Sequence, residues 1–319
     1  MSTTPRVFYF CPDFPQPSGG VRSIYRHVAV LHAAGVDAAV VQQKRGFVAD
    51  WHGYRAPVIW LEDRPRFQPT DTLVFPEVMA AMVRQTASFS GRRLVFALSW
   101  LPSYANLNPG ERWRDLGVDG VLVQSPTVAR AVAWSEGRPA HYVPPFVDPA
   151  LYHADPAVDA ASRRAIAYLT RKDRAGEWLH GHLNGAATTA GLTWTPLRNL
   201  PEAAYAAALR GAALYVPTTV QEGLHVSVLE AMASGALVVG FAAVGGNDYL
   251  VGEGPAQNCV LVANGDLPAL GQTLADVLAT WADDPAAYAA LTANAQRAVQ
   301  PYQDPTPQRD ALLALFSHG

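Results

Sequence analysis

Two carboxylates, Glu222 and Glu230, flank a glycine turn in the stretch Pro217-Thr-Thr-Val-Gln-Glu-Gly-Leu-His-Val-Ser-Val-Leu-Glu-Ala-Met-Ala-Ser-Gly-Ala236. The apolar run Ala212-Ala-Leu-Tyr-Val216 predicts a buried strand ended by Pro217, and Val226, Leu229 and Ala233 recur at helical spacing before Gly235 stops a helix. Glu222 then lies in the loop, and Glu230 lies about a turn and a half into the helix. A helix N-terminus offers free N–H groups and a positive dipole end to a phosphate, and carboxylates accept hydrogen bonds from hydroxyls. The pattern therefore suits a sugar nucleotide. The alternative reading of the same two glutamates is helix capping and dipole complementation.

A second cluster with chemical potential is Leu169-Thr-Arg-Lys-Asp-Arg174, which sets Arg171, Lys172 and Arg174 directly after an expected strand, Arg164 to Leu169. A doubly wound sheet opens its ligand crevice at such a strand end, and a diphosphate needs cations there. The alternative is a solvated basic turn. Gly19-Gly20 and Gly245-Gly246 each follow an expected strand. The first pair can bring backbone against an anionic ligand or form an ordinary turn, and Asn247 and Asp248 follow the second pair. Nine histidines are present, but neither His180-x-His182 nor His225 is accompanied by Asp, Glu or Cys at ligand spacing, which argues against a metal site. His225, at the expected helix start, either caps the helix or faces a ligand. His27 and Glu77 are further candidates, for an acceptor-side surface.

The elements expected to carry these residues alternate along the chain. Arg6-Val-Phe-Tyr-Phe-Cys11 predicts a buried strand, Val21 opens a helix with Ile24, Val28 and Leu31 on one face, and Gly35 closes it before the strand Asp37 to Val41. Short apolar runs recur at Pro57 to Leu61, Thr72 to Phe75, Arg93 to Leu98 and Gly120 to Gln124. After the linker-like His153 to Ser162 they resume at Arg164 to Leu169, Leu192 to Trp194, Ala212 to Val216, Ala236 to Phe241 and Cys259 to Val262. Such runs, alternating with helices, predict parallel sheets covered on both faces. The segment Asp310 to Phe316 predicts a final helix.

At 319 residues the chain exceeds what one core usually organises, so two domains are expected. Its 24 basic and 27 acidic residues give a net charge of −3, without the basic excess that nucleic-acid binding requires. Cys11 and Cys259 suit reduced thiols in a cytoplasm. No segment has the form of a signal peptide or a membrane span. The absence of G-x-G-x-x-G after the first strand disfavours a nicotinamide-dependent dehydrogenase.

From Glu222 through Gly235 the chain resembles the E-x7-E signature of retaining glycosyltransferases of family 4, in the form E-G-[FL]-x-x-x-x-x-E-A-M-A-x-G. The segments Gly120 to Arg130 and His141 to Tyr152 are similar to that family's last N-domain strand and helix and its V-x-P-N-G-V-D segment, with Pro145 and Phe146 at the Asn and Gly positions. The resemblance implies an α/β chain of GT-B fold, in which two Rossmann-like domains face an interdomain cleft. Residues 1–155 would form the acceptor domain and 156–302 the donor domain, and the helix at about 303–319 would pack back on the first. It also implies metal-independent, hexosyltransferase-like transfer from a nucleotide sugar to an acceptor hydroxyl with retained configuration, in glycan, polysaccharide or glycoconjugate synthesis.

By the same resemblance Glu222 would meet hydroxyls of the donor sugar and Glu230 the ribose, with the Gly223 and Leu224 amides against sugar and diphosphate. Arg171 with Lys172 or Arg174 would neutralise the phosphates, Gly19 and Gly20 would lie against the diphosphate, and His225 and Val226 would complete the donor loop. No protein nucleophile is expected, since the departing phosphate oxygen helps to deprotonate the acceptor. No cofactor is implied beyond the donor, whose base (UDP, GDP or dTDP) stays open. The acceptor is a saccharide, a lipid-linked compound or a small molecule. The expected setting is cytoplasmic, with peripheral contact at the inner membrane face, and the chain is short for the family, as if the acceptor domain were trimmed. Alternatives are an epimerase or phosphorylase of similar architecture, and a non-catalytic sugar-nucleotide-binding subunit.

Overall fold

A computed structural model describes residues 5–155, 158, 162–170 and 173–316. In chain order its elements are β1 (Val7–Phe10), α1 (Gly19–Ala33), β2 (Ala38–Gln42), β3 (Val58–Trp60), β4 (Thr72–Pro76), α2 (Ala80–Gln85), β5 (Arg92–Ala97), α3 (Trp100–Ala105), β6 (Gly120–Val123), α4 (Pro126–Glu136) and β7 (His141–Tyr142). There follow β8 (Ala165–Leu169), α5 (Ala175–Thr189), β9 (Thr193–Leu197), α6 (Glu202–Arg210), β10 (Ala212–Tyr215), α7 (Val226–Ala233), β11 (Leu237–Phe241), β12 (Val260–Val262), α8 (Leu267–Asp283), α9 (Ala289–Val299) and α10 (Thr306–Phe316). They form two compact units, residues 1–145 with 305–319, and residues 146–304.

The first unit is a seven-stranded parallel sheet in the order β3-β2-β1-β4-β5-β6-β7. Successive side chains of β1 alternate between two apolar layers, as the pleat requires. Val7 and Tyr9 pack with Ile24, Val28 and Leu31 of α1 and with Leu312 and Phe316 of α10. Phe8 and Phe10 pack with Phe75, with Val83 of α2 and with Val128 and Val132 of α4. With helices on both faces the strands have no solvent side, which is why they read as continuous apolar runs. Gln308, buried in α10, fastens that helix to the unit by accepting from Arg26 Nε at 2.5 Å and donating to the Pro144 carbonyl at 2.8 Å.

The second unit is a five-stranded parallel sheet in the order β12-β11-β10-β8-β9. On one face Ala167, Tyr215 and Val238 meet Leu209 of α6, Val228, Leu229 and Met232 of α7, and Val299 of α9. On the other, Ile166, Tyr168, Leu214 and Val239 meet Leu179 of α5 and Leu274 and Trp281 of α8. Strand β9 runs on through Pro196, beyond the expected Leu192 to Trp194; as an edge strand it can lack one donor. In both units the strand order reverses once, between β1 and β4 in the first and between β8 and β10 in the second. At such a reversal the connections leaving the strand ends diverge, and a crevice opens at the carboxyl edge of the sheet.

Candidate functional site

The signature stretch forms the connection from β10 to α7, on one side of the second unit's reversal. Pro217, just past β10, accepts from Phe241 N–H at 3.0 Å, which ties the start of the loop to β11. Helix α7 begins at Val226 and ends before Gly235, as the apolar spacing predicts, and Glu230 is about a turn and a half along it. Leu229 and Met232, with no exposed surface, lock the rotation of α7 against the sheet and thereby fix the direction of Glu230. Glu230 is 2% exposed, whereas Glu222, in the loop, is half-buried. Both carboxylates act on Tyr215, whose hydroxyl is held well above its ordinary pKa, chiefly by burial and further by Glu230 and Glu222. The two glutamates are thus gathered around the end of one strand.

Several contacts hold the loop. The Glu222 carbonyl accepts from Gly245 N–H at 3.0 Å, and the Thr219 hydroxyl donates to Glu222 Oε1 at 3.2 Å. Tyr249 OH donates to the His225 carbonyl at 2.7 Å. Gly245 is required here, because a Cβ on it would stand 2.2 Å from the Gly223 carbonyl oxygen and 2.9 Å from Leu224 N. His225 occupies the N-cap position of α7, yet its ring makes no cap hydrogen bond; Nε2 instead lies 3.3 Å from Thr219 Oγ1. Of the two readings of this histidine, ring capping is the one the structure removes. Leu224 and Val226 are half-buried, and Leu224 packs on the core.

Across the reversal lies the connection from β8 to α5. Arg171 and Lys172 lie outside the described residues. Asp173, next to them, accepts at one oxygen from the Thr218 hydroxyl and from Ala175 N–H, both at 2.9 Å. This carboxylate therefore ties the two connections together at the crevice. Arg174, exposed at the N-cap of α5, pairs with Glu177 at 3.1 Å, and Glu177 also pairs with Arg198 at 2.7 Å. Exposed pairs of this kind contribute about 0–1 kcal/mol, so Arg174 can change partners at little cost.

In the first unit, helix α1 starts at Gly19, two residues before the expected Val21, so Gly19 and Gly20 are its first turn rather than a preceding loop. Gly20 packs closely on Leu98, whose Cδ1 would stand 2.8 Å from a Cβ at that position. His27 is fully buried, stacked on Phe96 at 4.7 Å, with Tyr9 OH and Gln124 Nε2 each 3.4 Å from its ring nitrogens. Burial, aided by the Arg26 charge, pushes its pKa down to about 3, so the ring is neutral. Glu77, after β4, accepts from the N–H groups of Leu98 and Ser99 just before α3, a structural fastening.

His180 and His182 are not gathered into a cluster. His180 stacks on Trp194 and lies 3.1 Å from Tyr168 OH, while His182 is exposed. Among the described residues no group of three or more His, Cys, Asp or Glu is placed to hold a metal ion. Asn247 is exposed and Asp248 half-buried, in the single turn after β11. Cys11 and Cys259 are free and buried. Among the described residues no helix is long and apolar enough to cross a membrane.

The residues that hold this loop, Thr218, Thr219, Asp173 and Tyr249, escape sequence reasoning. Their signal would have been polar side chains beside the glutamates. Which of them meet depends on loop backbone that no periodicity encodes.

Comparison with known proteins fits this geometry. No curated protein matches the chain. Sucrose-phosphate synthase from Thermosynechococcus elongatus has a similar structure, with a TM-score of 0.71 at 15% identity over 98% of each chain. HepE from Anabaena, solved in complex with UDP-glucose, gives 0.68 at 15% identity over 98% of this chain and 99% of its own. The catalytic domain of starch synthase IV from Arabidopsis thaliana, bound to ADP and acarbose, gives 0.65 at 10% identity over 99% of each. Residues 170–280, which run from the end of β8 through the signature stretch into α8, match the family model for glycosyl transferases group 1, and the chain as a whole has the GT-B fold.

Proposed function

We propose that this protein is a glycosyltransferase of family 4 type, which moves a sugar from a nucleoside-diphosphate donor to an acceptor hydroxyl with retention of anomeric configuration and without a metal. The observation that carries the reading is the pair Glu222 and Glu230, set on either side of the α7 N-terminus at the strand-order reversal of the unit that matches the family model. Glu222 accepts hydroxyls of the donor sugar, and Glu230 accepts the ribose hydroxyls. The Gly223 and Leu224 amides, with His225 and Val226 behind them, face the diphosphate between the two. The cations Arg171, Lys172 and Arg174 follow β8 in sequence and neutralise the phosphates.

In the reaction the bond from the anomeric carbon to the diphosphate oxygen breaks, and one from that carbon to the acceptor oxygen forms. The acceptor proton passes to the departing phosphate oxygen. Charge grows on the leaving diphosphate, so fixed cations and amides aimed there are worth more in the transition state than in the ground state. The carboxylates grip the donor and do not act as the acid and nucleophile of a glycosidase. Two structural relatives were solved with UDP-glucose and with ADP, which supports a nucleotide sugar as donor. The acceptor is a saccharide, a lipid-linked compound or a small molecule, met in a cytoplasmic setting with peripheral membrane contact. The test is proton NMR of the chain with UDP-, ADP-, GDP- and dTDP-glucose. Release of nucleoside diphosphate with a first-formed α product from an α donor is expected. Inverted product, or no turnover of any donor, refutes the reading.

A further inference from the structure

The geometry points to Thr219 as a positioning residue: a relay from His225 Nε2–H to the Thr219 hydroxyl to Glu222 Oε1 sets the angle at which Glu222 meets the donor sugar. This inference rests on the donor-binding reading above. The Thr219 oxygen lies 3.2 Å from Glu222 Oε1 and 3.3 Å from His225 Nε2. The Thr219 hydroxyl donates its single proton to Glu222 Oε1, so its oxygen is left to accept from His225. That fixes the histidine proton on Nε2, and each bond in the chain polarises the next. The anchor is firm at its far end. His225 is 2% exposed, and its carbonyl accepts from Tyr249 OH and from Val228 N–H at the first turn of α7. Glu222, half-buried in a loop with several side-chain torsions, thus takes its orientation from the helix that carries Glu230. One hydroxyl couples the sugar end of the site to its ribose end.

The experiment compares wild type with Thr219→Val, which keeps the shape and deletes the hydroxyl, and with Thr219→Ser, which keeps the hydroxyl. Calorimetry measures affinity for UDP, ADP and GDP and for their glucose conjugates, and nucleotide release gives kcat and KM. Thr219→Val is expected to keep affinity for the bare nucleoside diphosphates within about twofold and to lose roughly tenfold or more in kcat/KM for the sugar conjugate, the usual effect of removing a hydrogen bond to a charged group. Thr219→Ser is expected to restore it. In 15N NMR of the wild type, the His225 proton is expected on Nε2. Equal losses for bare and sugar-bearing nucleotides, a Thr219→Val enzyme that works as wild type does, or a Thr219→Ser enzyme that fails, overturns the role while leaving the donor site standing. A wild type that binds none of these nucleotides overturns the donor site and this role with it.

Discussion

Gly245→Ala places a single methyl group against the backbone that is meant to face the donor. Its Cβ would stand 2.2 Å from the Gly223 oxygen and 2.4 Å from the Gly223 carbonyl carbon, whereas real Cβ atoms essentially never come closer than 3.0 Å. These neighbours are backbone, so no side chain can rotate away, and either the Gly223-Leu224 peptide or the turn beginning at Gly245 must move by about 0.8 Å. Overpacking of this kind costs about 1–3 kcal/mol, which a folded unit survives. A misplacement of about 1 Å in a catalytic arrangement costs on the order of 100-fold in rate. The same shift strains the 3.0 Å bond from Gly245 N–H to the Glu222 carbonyl, so the sugar-side carboxylate moves with the loop. The assay is nucleotide release from the best donor, alongside urea unfolding of the same preparation. The expected outcome is a folded protein with kcat/KM reduced about 100-fold. A folded Gly245→Ala protein with wild-type turnover would refute the placement of the donor against Gly223 and Leu224.

Leu229→Ala empties a fully buried position in α7 and is expected to cost about 2–5 kcal/mol in urea unfolding. Gly181→Ala and Gly185→Ala fall on exposed helical positions of α5 with open space around the new methyl, and each is expected to raise stability by about 0.5–1 kcal/mol by the same assay. His27 ties stability to pH. Its folded pKa of about 3 lies below the unfolded value of 6.5, so its contribution is complete above pH 6.5 and is lost as pH falls towards 3, with a slope of up to about 1.4 kcal/mol per pH unit. His27→Gln is therefore expected to flatten the acid limb of a stability-against-pH curve, and an unchanged limb would refute the burial of a neutral ring.

Much of the architecture was legible because its strands are buried on both faces. Val7 to Phe10 and Thr72 to Phe75 have no solvent side, so their apolar runs and the intervening helical spacing declare a parallel sheet. Strand β7 was not legible. It is two exposed residues long, and only pairing with β6 makes it a strand. The helix start at Gly19 was hidden because glycine is a poor helix former and Gly19-Gly20 reads as a turn. In the candidate site, Glu222 and Glu230 stood out because their spacing spans a loop and a helix start. Thr219 and Asp173 did not, because a hydroxyl or carboxylate in a loop gains a role only from partners that the fold brings to it.

The central claim, a nucleotide sugar gripped by Glu222 and Glu230, is tested most directly by titrating UDP-, ADP-, GDP- and dTDP-sugars into the wild type and into Glu230→Ala while following the thermal melt. A ligand of the folded state raises the melting temperature by mass action. At least one donor should raise it for the wild type, by an amount equivalent to about 2.7 kcal/mol at a hundred times the dissociation constant, and the rise should be lost in Glu230→Ala. A wild type that responds to none of the donors, or a Glu230→Ala protein that responds as strongly as the wild type, would contradict the account.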